Sequence, residues 1–226
     1  MRGAVSAIGQ FTSGARRGRP PATSARELEL IALHLFTTQG FDDTTVDQIA
    51  AAAGVSRRTF FRYFDSKAAV LWYEFDAEVD ALRASFDNVA RTLPLMDAIR
   101  QVVVGVNRYR AEDVPELRTR MSLIQSVPAL RASADPHYAA WERAVSDFAA
   151  SRLNHPSDSL HPLAIGRVTL AACRAAYDCW VLRADADLTW YLDAALVALG
   201  SGFSPHAESL PEGDGGTHAL EYRGPT

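Results

Sequence analysis

Residues Thr45–Phe64 read TVDQIAAAAGVSRRTFFRYF, and their reading decides the fold. Thr45 followed three residues later by Gln48 is a capping box, which starts a helix by satisfying two of its free backbone N–H groups. That helix ends at Gly54, where a tight turn needs the positive φ that glycine adopts without steric cost. Ser56 then caps a second short helix that runs to about Phe64. Two short capped helices meeting at Ala53-Gly54-Val55 make a helix-turn-helix, an arrangement whose second helix enters the major groove of DNA. On that helix Val55, Phe60 and Phe64 share one face and are placed to pack on Ile49, Ala53, Phe36 and Leu33. Arg57, Arg58, Phe61 and Arg62 share the opposite face. Three arginines and an aromatic ring suit guanine O6/N7, thymine methyl groups and phosphates. Thr45, Tyr63 and Lys67 sit at helix ends or flanks, where backbone phosphates are gripped. A small helical subdomain with merely solvated arginines is the plainer alternative, but it leaves the coincidence of cap, turn and arginine face without a cause.

Outward from this unit the chain reads as helix throughout, with no alternating run that makes a strand. A helix over about Ser24–Gln39 precedes it, with an apolar stripe of Leu28, Ile31, Leu35 and Phe36 and Gly40 as its stop. Beyond it the spacing predicts one long helix from Lys67 to about Thr92. Further helices are predicted at 95–111, 115–126, 135–153, 161–184 and 187–199, several of them begun or bounded by proline. The fold class is therefore all-α, with about nine helices: an N-terminal three-helix DNA-binding domain and a C-terminal helical domain for ligand binding and dimerisation. Residues 1–22 are expected as a flexible basic arm, 23–67 as the helix-turn-helix domain, 68–200 as the larger helical domain and 201–226 as a disordered tail.

Charge supports that division. The chain has 226 residues, 48% of them hydrophobic, and a net charge of −4 that taken alone disfavours nucleic acid. Residues 1–67, however, carry nine Lys/Arg against six Asp/Glu, a balance of +3, and the remainder carries −7. A basic head on an acidic body fits a DNA reader joined to a sensing domain. Cys173 and Cys179 are six apart, about 600° around a helix, which separates the thiols and points to a reducing cytosol rather than a disulfide. The start lacks the apolar core of a secretory signal, and Leu163–Leu182 is interrupted by Arg167, Arg174 and Asp178, so no membrane span is expected. The six histidines are scattered. His155 and His161 lie in a proline-rich loop and read as surface residues, so neither a metal nor a cofactor is expected, and no nucleophile–base set supports an enzyme.

The stretch Gly18–Phe75, and within it IALHLFTTQGFDDTTVDQIAAAAGVSRRTFFRYFDSKAAVL at residues 31–71, resembles the DNA-binding domain of the TetR family. The marks of the resemblance are the Gly-Phe corner, the Thr-Val-x-x-Ile-Ala run, the Ala-Gly-Val-Ser turn and the Tyr-Phe-x-Ser-Lys exit. More narrowly, residues 56–86, with Met121–Ile124, Pro128–Leu130, Tyr138–Trp141 and Ala176–Tyr177, are similar to the regulators of mycofactocin systems. The resemblance implies that Arg57, Arg58, Thr59, Phe61 and Arg62 lie near bases and that Thr44, Thr45, Tyr63 and Lys67 contact phosphate. Many family members have glycine where Arg58 stands, so no generic operator carries over. It further implies a homodimer on double-stranded operator DNA, repression of mycofactocin genes and a long-chain acyl-CoA effector. The residues themselves support only an apolar, elongated ligand.

In the body, Phe75, Phe86, Val103, Asn107, Met121, Ile124, Trp141, Cys173 and Tyr177 are the expected pocket residues, although large apolar side chains in a bundle are mostly core. Gln125 and Arg174 are further polar candidates, Arg174 also being placed for a solvated pair with Asp178 at i+4. Small residues on the helix at 161–184 suggest close helix approach. The expected dimer seam is Gly166, Ala172 and Ala176 with Leu188, Leu192 and Ala195, and tight packing within one chain is the alternative. A TetR-like repressor answering an unrelated apolar ligand, a ligand-independent DNA-binding protein and a helical acyl-thioester enzyme are the rival functions.

The arm contains Arg16-Arg17-Gly18-Arg19-Pro20, whose extended arginines suit a narrow A·T-rich minor groove. Deleting residues 1–19 should weaken operator binding and lower the slope of log K against log salt by about 0.9 for each phosphate that the arm neutralises. Unchanged affinity and slope in a salt titration would remove the arm from the interface.

Overall fold

The computed structural model describes residues 23–183 and 186–202, and among them all regular structure is helical. The head consists of α1 (Ala25–Gln39), α2 (Val46–Ala52) and α3 (Arg57–Phe60). Ser24 caps α1, accepting from the Glu27 backbone N–H at 3.1 Å, and Gly40 ends it with φ +90°. The Thr45/Gln48 capping box is formed in both directions, and Gly54 takes φ +66° between α2 and α3. The regular helix of α3 stops at Phe60, short of the expected Phe64, and residues 61–63 continue as turns in which the Tyr63 N–H bonds the Phe60 carbonyl. Leu28, Ala32, Leu33, Phe36, Ile49, Phe60 and Phe64 form the head core, so the apolar face of α3 is turned inward and its arginines outward.

The expected continuous helix from Lys67 is broken. A 3-10 turn over Ala69–Trp72 precedes α4 (Tyr73–Asn88). Three consecutive side chains, Val70, Leu71 and Trp72, are all buried here. Val70 and Leu71 enter the head core, whereas Trp72 packs with Ile124 and Ala134 of the body. The wider angular step of a 3-10 turn distributes three successive residues between two cores better than an α-helix does. Trp72 is fixed by an indole N–H bond to Ser133 Oγ at 3.0 Å and by stacking on His137 with centroids 4.7 Å apart.

The body contains α5 (Leu95–Val106), α6 (Val114–Ser126), α7 (Pro128–Ala132), α8 (Asp135–Leu153), α9 (Leu160–Leu182) and α10 (Leu188–Gly200). Helix α5 ends before residue 111 because Asn107 leaves the helical path and its amide caps the Val103 carbonyl at 2.8 Å. The short α7 was not expected, since five residues are too few for a periodic signal. Its Leu130 is fully buried in the head core, with Leu123 and Val127 beside it. The body core is built mainly from α4, α5, α8, α9 and α10.

Four of the six predicted dimer-seam residues, Gly166, Ala176, Leu188 and Leu192, are buried within the chain itself. Gly166 faces α8, where an added Cβ would meet Ser146 Oγ at 2.2 Å and the Glu142 carbonyl at 2.6 Å. Ala176, Leu188 and Leu192 are buried in the chain's own core, and Ala172 and Ala195 pack against it. Small residues here permit the close α8–α9 approach. The outward stripe of α9 is instead Ala164, Val168, Ala171, Ala175, Cys179 and Leu182, at the i, i+3/i+4 spacing of one helical face.

Head and body meet through a buried ion cluster. Arg120 of α6, 4% exposed, pairs with Glu29 of α1 at 2.8 Å, with Glu116 at 2.6 Å and with Glu74 of α4. Arg26 of α1 bonds Glu29 at 2.9 Å, Glu116 at 2.6 Å and also Glu74. Two guanidinium groups thus face three carboxylates, and Glu29 is fully buried. Burial pushes the Glu29 carboxyl up to about 7, against the pull of both arginines. The folded chain therefore takes up this proton before the unfolded chain does. The associated stability is complete below about pH 4.5 and is lost as pH rises through about 7. Glu29→Gln should match the parent at pH 4 and be the more stable protein at pH 8, by at most about 3 kcal/mol given 1.36 kcal/mol per pKa unit. Parallel stability–pH profiles in urea melts would contradict this.

Candidate DNA interface and effector cavity

The exposed side of α3 carries the predicted reading residues. Ser56 holds the start of the helix by accepting from the Thr59 N–H at 3.0 Å. Arg58, Thr59, Phe61 and Arg62 surround one concavity on the surface. Phe61 is 42% exposed, unusual for a phenylalanine with no neighbouring element over it. Arg57 is held back toward α2 by Asp47 at 2.8 Å and lies over the Phe61 ring at 5.3 Å. An arginine oriented by a carboxylate and an aromatic face loses less freedom on meeting a base.

The flanking residues divide. Thr45 is exposed at the α2 N-terminus, beside the free N–H groups that suit a phosphate. Thr44 is fully buried, and its hydroxyl donates to the Gly40 carbonyl at 2.7 Å, so its side chain braces the α1–α2 corner. Lys67 also braces that corner: Nζ donates to the Thr44 carbonyl at 2.9 Å and to those of Phe41 and Asp42, over the Phe41 ring. Tyr63 donates to the Thr23 carbonyl at 2.7 Å, which pins the first described residue beside the reading helix. Arg16, Arg17 and Arg19 lie outside the described residues, as does the tail beyond Gly202.

The body holds a cavity of about 100 Å³. Its wall includes Phe75, Val103, Asn107, Met121, Ile124, Trp141, Cys173 and Tyr177, all expected from the sequence. Phe86 does not line it. That residue stands eleven positions, about 16 Å, beyond Phe75 along α4, where it stacks on Phe148 with centroids 4.2 Å apart. At the exposed rim Arg174 lies over the Tyr138 ring at 4.9 Å, and Asp178 accepts from Gln125 at 2.8 Å. Inside, Tyr177 donates to Asn107 at 2.5 Å, and Tyr109 donates to Glu78. Burial raises Glu78 to about 7 and the Cys173 thiol to about 12, leaving that thiol un-ionised and inert near neutrality.

Three wall residues belong equally to the head–body joint. Leu71 is part of the head core, Trp72 is the end of the 3-10 turn, and Arg120 is the centre of the ion cluster. Of the three, sequence marks only Trp72, as one of the large residues lining the body; Leu71 and Arg120 carry no such signal. Arg26/Glu29 and Glu116/Arg120 have the i, i+3 and i, i+4 spacing of ordinary surface pairs, and nothing local says that α1 and α6 face each other. Among the described residues no helix is long and apolar enough to cross a membrane.

Comparison with known proteins agrees with this geometry. Residues 31–72 match the family described as bacterial regulatory proteins, tetR family, and residues 93–204 match the MftR C-terminal domain. The chain is 33% identical over 187 residues to a putative mycofactocin biosynthesis transcriptional regulator, MftR, of Mycobacterium tuberculosis, covering 83% of this chain and 94% of the relative. It is 34% identical over 164 residues to the HTH-type regulator TcmR of Streptomyces glaucescens, covering 70% and 73%. Among solved structures, Thermus thermophilus FadR in complex with lauroyl-CoA shares the fold with a TM-score of 0.54 at 22% identity, over 84% of this chain and all of that one. A capped helix-turn-helix, an all-helical body and these matches together make the chain a member of the TetR family of bacterial transcriptional regulators, with an MftR-type C-terminal domain.

Proposed function

We propose that this protein is an effector-released repressor of mycofactocin biosynthesis genes, acting in the cytoplasm as a homodimer. The observation that carries the switch is that one cavity wall, through Leu71, Trp72 and Arg120, is also the seat of the DNA-reading head. A ligand that rearranges this wall changes the spacing of two heads, and so the fit of paired recognition helices to successive major grooves. The outward α9 stripe, with Val168 45% and Leu182 85% exposed and Val197 of α10 at 42%, supports pairing of two copies.

A long-chain acyl-CoA is the effector that we favour, in line with the lauroyl-CoA bound by the FadR neighbour. Pockets for drug-sized ligands measure roughly 300–1,000 Å³, and the present cavity of about 100 Å³ is far smaller. Admitting an acyl chain therefore requires the wall helices to part, which is the movement a release mechanism needs. The chemistry of the rim fits a charged carrier: Arg131 and Arg174 are both exposed there.

The test is operator binding by fluorescence anisotropy, with DNA from upstream of the mycofactocin genes, with and without oleoyl-CoA. A single palindrome should be bound and then released by oleoyl-CoA, and Arg62→Ala should weaken binding about 10- to 100-fold, the 1–3 kcal/mol of one base contact. Binding indifferent to oleoyl-CoA but relieved by another apolar compound would favour the reading in which the same switch serves a different effector.

A further inference from the structure

Arg131 of α7 and Arg174 of α9 are both exposed at the rim of the effector cavity. Asp178 stands one turn after Arg174, at the spacing of a helical ion pair. That pair is not formed: the Asp178 carboxylate accepts from Gln125 of α6 at 2.8 Å, and the Arg174 guanidinium lies over the Tyr138 ring, 4.9 Å from its centroid. Among the described residues neither rim arginine forms an ion pair. A free surface arginine is ordinary, but these two stand at the entrance to a wall of Phe75, Met121, Ile124, Trp141 and Leu170. The remaining charged side chains of that wall are engaged, Glu78 by Tyr109 and Arg120 by Glu29, Glu74 and Glu116. Unpaired cations at the edge of an apolar cavity complement an amphiphile whose tail leaves water and whose anionic head stays at the surface.

Tyr138 ties this rim to the head–body joint. Its ring meets Trp72 edge-on with centroids 5.6 Å apart and Phe75 at 5.8 Å, while its face carries Arg174. A guanidinium held on an aromatic face is ordered before a ligand arrives. An anion that draws it off that face changes the packing of the ring against Trp72, which ends the 3-10 turn leading from the head. We propose that Arg131 and Arg174 receive an anionic head group of the effector, a phosphate or a carboxylate, and that Arg174 passes its arrival to the joint through Tyr138. This rests on the effector-released reading above and specifies the head group that the rim selects.

The test compares lauroyl-CoA, laurate and the neutral thioester S-lauroyl-N-acetylcysteamine by titration calorimetry. The parent should bind at least one anion about 10-fold or more tightly than the neutral probe, and added KCl should shrink that preference. Preference for lauroyl-CoA assigns the rim to phosphate, and preference for laurate assigns it to carboxylate. Arg131→Gln with Arg174→Gln should lower the preference below about 3-fold, whereas lysine at both positions should restore part of it. A cooperative thermal melt checks that each variant is folded. In operator titrations at saturating probe, the favoured anion should weaken DNA binding at least about 5-fold more than the neutral thioester does. Tyr138→Phe, which keeps the ring, should retain that excess, and Tyr138→Leu should lose it. Equal binding of charged and neutral probes, a preference that survives the glutamine substitutions, or no binding of any probe would overturn the site. An excess that persists in Tyr138→Leu would overturn the relay. Release of operator DNA by oleoyl-CoA is read separately: if it persists in the parent without any preference for the anions, the repressor reading stands and the role given to the rim arginines falls.

Discussion

A guanidinium buried between three helices is the contact on which the rest of this molecule depends. Arg120 joins α6 to α1 through Glu29 and to α4 through Glu74, and Arg26 closes the same ring from the head. Removing a guanidinium from such a cluster typically costs about 3–5 kcal/mol, because its carboxylates are left buried without a counter-charge. Replacing the whole cluster by apolar residues would cost less or nothing, so stability alone does not explain it. What ions provide and hydrocarbon does not is a contact with a defined geometry that a polar ligand group can alter. The raised Glu29 and Glu78 carboxyls show the strain of that choice, since burial there outweighs the neighbouring arginines.

The apolar half of the joint has the same logic. Leu130 on the five-residue α7 fills the head core from the body side, and Val70 and Leu71 fill it from the linker. Trp72, one residue on, belongs to the body. A 3-10 turn in which adjacent residues serve different cores is a stiff connection, not a loose tether. The head can therefore follow the cavity wall, and a cavity of about 100 Å³ next to that turn leaves little room for a ligand to enter without moving it.

The parts legible in the sequence are those governed by local rules. Ser24, Thr45, Gln48, Gly54 and Ser56 announce helix ends through backbone hydrogen bonding, and the structure places each in that role. Most of the cavity wall is legible as well, because large apolar residues at helical spacing in a bundle have few places to go. Phe86 is misplaced by such reasoning because sequence does not say how far along a helix a cavity extends. Gly166 and its small neighbours signal a close helix approach correctly but not the partner, which is α8 of the same chain. Thr44 and Lys67 carry a motif that suggests phosphate, yet their polar atoms are turned onto backbone carbonyls of the α1–α2 corner. The joint around Arg120 is invisible in the sequence, since Arg26 and Glu116 are 90 residues apart and each member looks like a surface charge.

Coupling between cavity and head is a thermodynamic statement, and linkage makes it directly measurable. The dissociation constant of oleoyl-CoA should be determined for the free protein and for the protein saturated with operator DNA. Coupling of cavity and head requires weaker effector binding on DNA, by a factor within about 5–150, and the same factor by which oleoyl-CoA weakens operator affinity. Equal affinities in the two states would show that cavity and head are independent, and would contradict it.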